Sequence, residues 1–140
     1  MNQQQLKLIE CPRDAMQGWP QFIPTQKKVE YINALMKVGF DTLDVGSFVS
    51  PKAIPQMADT GEVIRNLDSG IGNTKLLTII ANERGATDAV VYDEITYLGF
   101  PFSVSASFQI RNTNSTISQY LVRWAELQHL FNQKQNELGV

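Results

Sequence analysis

The sequence predicts an α/β protein built on a parallel sheet. Three observations carry this. Short apolar runs alternate four times with stretches of helical spacing. The run at 75–81 is apolar almost throughout, as a strand covered on both faces must be. The run at 6–9 closes at Pro12, which cannot donate to a ladder. Alternation of this kind means βαβ units with right-handed crossovers. Eight such units close a (β/α)₈, or TIM, barrel of about 250 residues. Four are visible in these 140 residues, so the expected architecture is half of such a barrel, one domain over 1–140.

The first strand is expected over 6–9. Gly18, Pro20 and Pro24 make 18–24 a loop. Thr25 stands as a helix N-cap; Val29, Ile32, Leu35 and Met36 follow at helical spacing, and Gly39 marks the stop. A second strand covers 40–45, ending at Gly46. Ser47 to Lys52 forms a loop, and a second helix covers 60–67. After a turn at 68–73 comes the third strand, closed by Asn82. A short helix covers 85–92 and a fourth strand 95–100. A polar loop is expected over 103–115. The fourth helix starts near Thr116, where Thr116 and Gln119 read as a capping box. Ile117, Leu121, Trp124, Leu127 and Phe131 form its predicted core-facing stripe, and a further strand is due near Gly139 and Val140.

Composition narrows the function. With 43% hydrophobic and 19% charged residues the chain has the makeup of an ordinary globular protein. A net charge of −2 implies no basic face, and so no nucleic-acid partner and no acidic membrane. No window reaches the length of a membrane span, and no signal peptide is visible. Cys11 is the single cysteine, which suits a reducing cytoplasm.

The chemistry concentrates at Arg13 and Asp14. Residues just past a strand's C-terminal end line the active face of a parallel α/β sheet. A carboxylate there ligates a hard divalent cation, and a guanidinium stabilises a neighbouring oxyanion. The alternative is a surface ion pair at a strand end. Cys11 reads as a buried, inert thiol. His129 is a lone helix imidazole, a poor metal site. Trp19 and Phe22 read as packing on the rim, Lys52 as a solvated loop lysine, and Asp88, Asp93 and Glu94 as a solvated edge.

Four fragments occur in order: Pro12-Arg13-Asp14-x-x-Gln17, Asp44-x-x-Ser47-Phe48-Val49-Ser50-Pro51-Lys52, Pro55-Gln56-Met57-Ala58-Asp59 and Asn82-x-x-Gly85. Together they resemble the N-terminal half of hydroxymethylglutaryl-CoA lyase, from about Leu6 to about Gln128. That family belongs to the metal-dependent TIM-barrel lyases and synthases. The resemblance implies a retro-Claisen cleavage of 3-hydroxy-3-methylglutaryl-CoA to acetyl-CoA and acetoacetate, a step of leucine degradation and ketone-body formation. It implies an acyl-CoA substrate and a divalent metal, Mg²⁺ or Mn²⁺.

Position by position, the resemblance makes Asp14 a metal ligand and Arg13 the arginine that polarises the acyl-CoA carbonyl. Gln17 becomes a pocket residue. Ser47 and Ser50 become loop hydroxyls facing the pocket, with a turn-stabilising role as the alternative. Asp44 takes the place where the family usually has glutamate. Its carboxylate is one methylene shorter, which leaves open whether it acts as a base or orients Arg13. The family's other ligands, a His-x-His pair and an asparagine, and its loop cysteine lie in later strands. The chain by itself is therefore expected to show negligible activity. Other readings are a related lyase or synthase for another 3-hydroxy acyl-CoA or 2-oxo acid, and a non-catalytic half-barrel. Its open sheet edges suggest a homo-oligomer or a complementing C-terminal half as partner.

Overall fold

The computed structural model describes residues 6–68 and 72–137, with side chains through 129. Four parallel strands form one sheet in the order β1-β2-β3-β4: Ile9–Glu10, Thr42–Ser47, Lys75–Ile79 and Ile95–Gly99. Strand neighbours in sequence are neighbours in space, as βαβ crossovers require.

Six helices connect and flank the strands. They are α1 (Pro12–Gln17), α2 (Thr25–Met36), α3 (Thr60–Arg65), α4 (Glu83–Ala89), α5 (Ala106–Thr113) and α6 (Ile117–Glu137), with a 3-10 turn at Pro55–Met57. The main core joins Met16, Val29, Ile32 and Met36 from the first two helices to Leu43, Val45 and Leu76 of the sheet and to Val63 and Ile64 of α3. A smaller core joins Ile80, Ala86, Ala89 and Leu127. Leu43, Val45, Leu76 and Ile80 share one face of the sheet, so the helices cover that face. The other face carries Ile9, Asp44, Leu77, Ile79 and Tyr97, by the register that pairs Asp44 with Leu77 and Leu77 with Tyr97.

Several expectations change. Pro12 closes the first strand but also occupies the first turn of α1, where its missing N–H costs nothing. The stretch 103–115, expected as a loop, holds α5, whose N-cap Ser105 accepts from the Phe108 N–H. It is only eight residues long, and the residue it buries is the polar Gln109, so no buried apolar period announces it. Cys11 is exposed rather than buried, because β1 is an edge strand. Leu77 and Ile79 are only partly buried, because the sheet is covered on one face. Trp19 and Phe22 are exposed on their loop, with the Lys28 ammonium 4.2 Å from the Phe22 ring centre.

The start of α6 is as expected: the Thr116 N–H donates to Gln119 Oε1 at 2.9 Å and the Gln119 N–H to Thr116 Oγ1 at 3.3 Å. Its buried face differs. Tyr120 and Leu127 are buried, whereas Leu121 and Trp124 are 49% and 43% exposed. Tyr120 stacks on Phe100 with ring centres 4.4 Å apart and takes the place expected for Trp124. Phe131, Gly139 and Val140 lie outside the residues whose side chains are described, as does part of the 68–73 turn. No helix of the described residues is long and apolar enough to cross a membrane.

Candidate functional site

The candidate site forms where β1 ends. Pro12 starts α1 directly after the strand, so Arg13 and Asp14 fall in its first turn, on the C-terminal rim of the sheet. β2 runs alongside and presents Asp44 on the face not covered by helices. The Asp44 side chain is 4% exposed and that of Arg13 16%.

Arg13 reaches across to Asp44 with two nitrogens. Nε donates to Oδ2 at 3.1 Å and to Oδ1 at 3.3 Å, and Nη2 donates to Oδ2 at 2.6 Å. Nη1 donates to Asp14 Oδ1 and to Gln17 Oε1, each at 3.0 Å. Gln17 Nε2 in turn donates to Asp14 Oδ1 at 3.1 Å. The spacing i to i+4 along α1 places Gln17 over Arg13. A guanidinium has five N–H groups. These bonds engage four, which leaves one N–H on Nη2.

Burial pushes the Asp44 carboxyl above the ordinary carboxylate range, against the pull of the Arg13 guanidinium. The Cys11 thiol beside it is also held up, by desolvation first and by the Asp44 carboxylate second, so it is a poor thiolate source.

A cleft of about 880 Å³ opens over this rim. Arg13, Asp14 and Gln17 line one wall, Ile79, Ala81 and Asn82 the floor, and Asn112, Tyr120 and Arg123 the far wall. The far wall was not legible in the sequence: Asn112 lies in α5, expected as a loop, and Tyr120 and Arg123 lie on α6, whose core-facing stripe was expected through Leu121 and Trp124. Asn82 is fixed in the floor by a second role, since its side chain caps α4 and accepts from the Gly85 N–H at 2.9 Å. The Tyr120 hydroxyl is buried without a hydrogen-bond partner among the described residues, and burial raises its pKa.

Ser47 and Ser50 do not line this cleft. Each hydroxyl accepts the backbone N–H two residues on, from Val49 at 3.2 Å and from Lys52 at 3.3 Å. That is the turn-stabilising geometry. The structure thus brings Arg13, Asp14, Gln17 and Asp44 together, and sets Ser47 at the end of β2 and Ser50 in the loop that follows.

Metal ligands are scarce. Asp14 is 67% exposed at its side chain, and its Oδ1 already accepts two hydrogen bonds. Asp44 is turned to Arg13. Among the described residues no group of three or more His, Cys, Asp or Glu side chains could hold a metal ion. Oxygen-ligated cations need several ligands, so these residues do not by themselves fit a resident divalent ion.

The Pro55-to-Asp59 fragment is scaffolding beneath the site. Gln56 is buried; its Oε1 accepts the Ile23 N–H at 2.8 Å, and its Nε2 donates to the carbonyls of Trp19 and Gln21 at 3.1 and 2.8 Å. Asp59 accepts from the buried Lys28 ammonium at 2.6 Å and from Thr25 Oγ1 at 2.7 Å. Gln56 ties the α1–α2 loop, and Asp59 the first turn of α2, to the segment after β2.

No family model matches the chain. Relatives do. It is 34% identical over 125 residues to the mitochondrial hydroxymethylglutaryl-CoA lyase of Mus musculus, across 86% of this chain and 37% of that protein. An HMG-CoA lyase from Acinetobacter baumannii, solved in complex with coenzyme A and 3-methylmalate, superposes with a TM-score of 0.83 at 32% identity. That match covers 92% of this chain and 42% of the other. The HMG-CoA lyase of Bacillus subtilis superposes with a TM-score of 0.86 at 27% identity, across 96% of this chain and 44% of the other. The chain therefore spans less than half the length of the relatives it matches. In sequence and in fold it is similar to the N-terminal part of hydroxymethylglutaryl-CoA lyases, with four of the strands of their barrel.

Proposed function

We propose that this chain supplies the Arg13 wall of a lyase site that cleaves 3-hydroxy-3-methylglutaryl-CoA to acetyl-CoA and acetoacetate, the chemistry of leucine degradation and ketone-body formation. The observation that carries this is the Arg13–Asp44 pair on the C-terminal rim. In a retro-Claisen step a base from outside the described residues takes the proton of the 3-hydroxyl, the C–C bond breaks to release acetoacetate, its electrons pass into an enolate of acetyl-CoA, and an acid returns a proton to that carbon. The barrier comes from negative charge growing on the enolate oxygen. Arg13 answers it with a fixed positive charge and one uncommitted N–H. Asp44 accepts from Arg13 through both oxygens, so its role is to orient the guanidinium rather than to serve as base. Its shorter side chain compared with the family's usual glutamate does not break that contact.

Gln17 and Asp14 hold the other side of the guanidinium, while Ser47 and Ser50 shape the adjoining loop. Asp14 retains one oxygen as a ligand for a divalent cation, Mg²⁺ or Mn²⁺, completed by groups from outside the described residues. The chain alone is accordingly expected to show negligible turnover. A reducing compartment such as the cytoplasm suits its single exposed cysteine.

The test joins residues 6–128 to the remaining part of the Bacillus subtilis lyase and assays cleavage of 3-hydroxy-3-methylglutaryl-CoA. The expected result is turnover that Arg13→Gln lowers by about 100-fold or more. A folded hybrid that ignores this substrate overturns the reading. If the same hybrid instead cleaves another 3-hydroxy acyl-CoA, the shorter Asp44 carboxylate has shifted the specificity.

A further inference from the structure

Among the described residues the sheet leaves two edges and one face uncovered. A four-stranded parallel sheet with helices on one side is half of an eight-stranded barrel and spans half a turn. A head-to-tail contact between edges closes a ring when the rotation closes, and two halves complete one turn. We propose that, where no complementing half occupies these edges, two copies of this chain assemble into a closed eight-stranded barrel, β4 of each copy pairing in parallel with residues 6–9 of the other, which extend β1 at its start.

The register supports this. The row Glu10–Leu43–Leu76–Ile95 begins at the last residue of β1 and ends at the first residue of β4. Rows therefore descend along the strands as they cross the sheet. A barrel of this kind carries a total stagger of about eight residues, so each half takes about four. The row that starts at Glu10 then continues from Ile95 to Leu6 of the second copy. With the irregularity between Leu76 and Leu77 retained, Tyr97 meets Lys7, Leu98 meets Leu8 and Gly99 meets Ile9.

The side chains suit that register. Leu6 and Leu8 share the helix-covered side with Glu10, whose partner Leu43 lies in the main core, yet they are 83% and 59% exposed. Beside β4, on the same side, a groove of about 270 Å³ is lined by Phe100, Phe102, Leu121 and Trp124. The pairing sets Leu8 of one copy beside this groove of the other, two positions from Phe100, and Leu6 against Ile95. It also sets Lys7 within two positions of Glu94, opposite in charge, and against Tyr97, over which Lys75 already lies at 5.7 Å. Ile9, Leu77, Ile79 and Tyr97 from both copies fill the interior, as side chains fill barrels of this size. No proline lies within 6–9 or 95–99 to block pairing.

Sedimentation velocity on the 140-residue chain tests this. The expected mass is twice 15.7 kDa. Leu8→Asp should return the chain to the mass of one copy with its far-ultraviolet circular dichroism unchanged. Lys7→Glu should weaken the dimer about three-fold, and adding Glu94→Lys should restore it, which keeps the test decisive if Leu8→Asp unfolds. A wild-type chain of 15.7 kDa, a ladder of larger oligomers, or a dimer indifferent to both the leucine and the charge changes overturns the proposal.

Discussion

Arg13 and Asp44, 31 positions apart in sequence, meet through two nitrogens of the guanidinium, with Nη2 2.6 Å from Oδ2. Breaking such a pair leaves an unpaired buried carboxylate, which costs about 3 kcal/mol. Arg13→Met should lower stability in urea by that amount at neutral pH. Arg13→Lys should recover only part, because an ammonium keeps the charge but loses the planar fork. A loss below about 0.5 kcal/mol for Arg13→Met would mean that water already carries the Asp44 charge.

The raised Asp44 carboxyl gives a pH signature. Its folded form holds its proton to higher pH than the unfolded form, which releases it near pH 4. Between those two values the folded state binds more protons, so stability falls as pH rises through the window. Arg13, Asp14 and Cys11 surround the group. Asp44→Asn should flatten this slope in pH-dependent urea titrations, and Arg13→Met should steepen it. An unchanged slope in Asp44→Asn would place the titrating group elsewhere.

Gln56 holds three backbone groups of the α1–α2 loop. Gln56→Leu leaves the Ile23 N–H and the Trp19 and Gln21 carbonyls without it. At about 1 kcal/mol for each lost bond, the change should cost about 3 kcal/mol. It should also make the segment near Trp19 a preferred site of limited proteolysis. Cleavage there at the wild-type rate would show that the loop is anchored by other contacts.

Gly85 sits where a Cβ would come within 2.6 Å of the Phe48 carbonyl oxygen, a backbone atom with no room to yield. Alanine favours helices over glycine by about 1 kcal/mol, yet Gly85→Ala should lower stability by about 2 kcal/mol, since overpacking a tight contact outweighs propensity. Thermal unfolding decides the sign.

Asp14 alone should not retain a metal. Calorimetric titration of the chain with Mn²⁺ should show no saturable site at micromolar concentration, and Asp14→Asn should leave the trace unchanged. A micromolar site lost in Asp14→Asn would reveal ligands that the present geometry does not bring together.

The strand–helix alternation and the rim location of Arg13 and Asp14 were legible in the sequence because both are local. Apolar period, Gly39 as a stop and the Thr116–Gln119 cap depend only on nearby residues. What the sequence hid was tertiary. Helix α5 is short, buries the polar Gln109, and is held by its Ser105 cap and by that glutamine, which accepts the Ser103 N–H at 2.9 Å. Trp124 has the spacing of a core residue, but the rotation of α6 follows the stacking of Tyr120 on Phe100. Cys11 has a buried residue's chemistry and an edge strand's exposure. The partners of Gln56 and Lys28 lie about thirty residues away, beyond what any periodicity shows.

A guanidinium pinned at four of its five N–H groups has little freedom left to lose. Ordering a loose arginine costs about 2 kcal/mol, and here that ordering is complete once the chain folds. An oxygen arriving at Nη2 meets a charge that neither swings toward it nor retreats. In the proposed lyase site, discrimination between a neutral carbonyl and an enolate would then rest on the charge of the arriving atom alone.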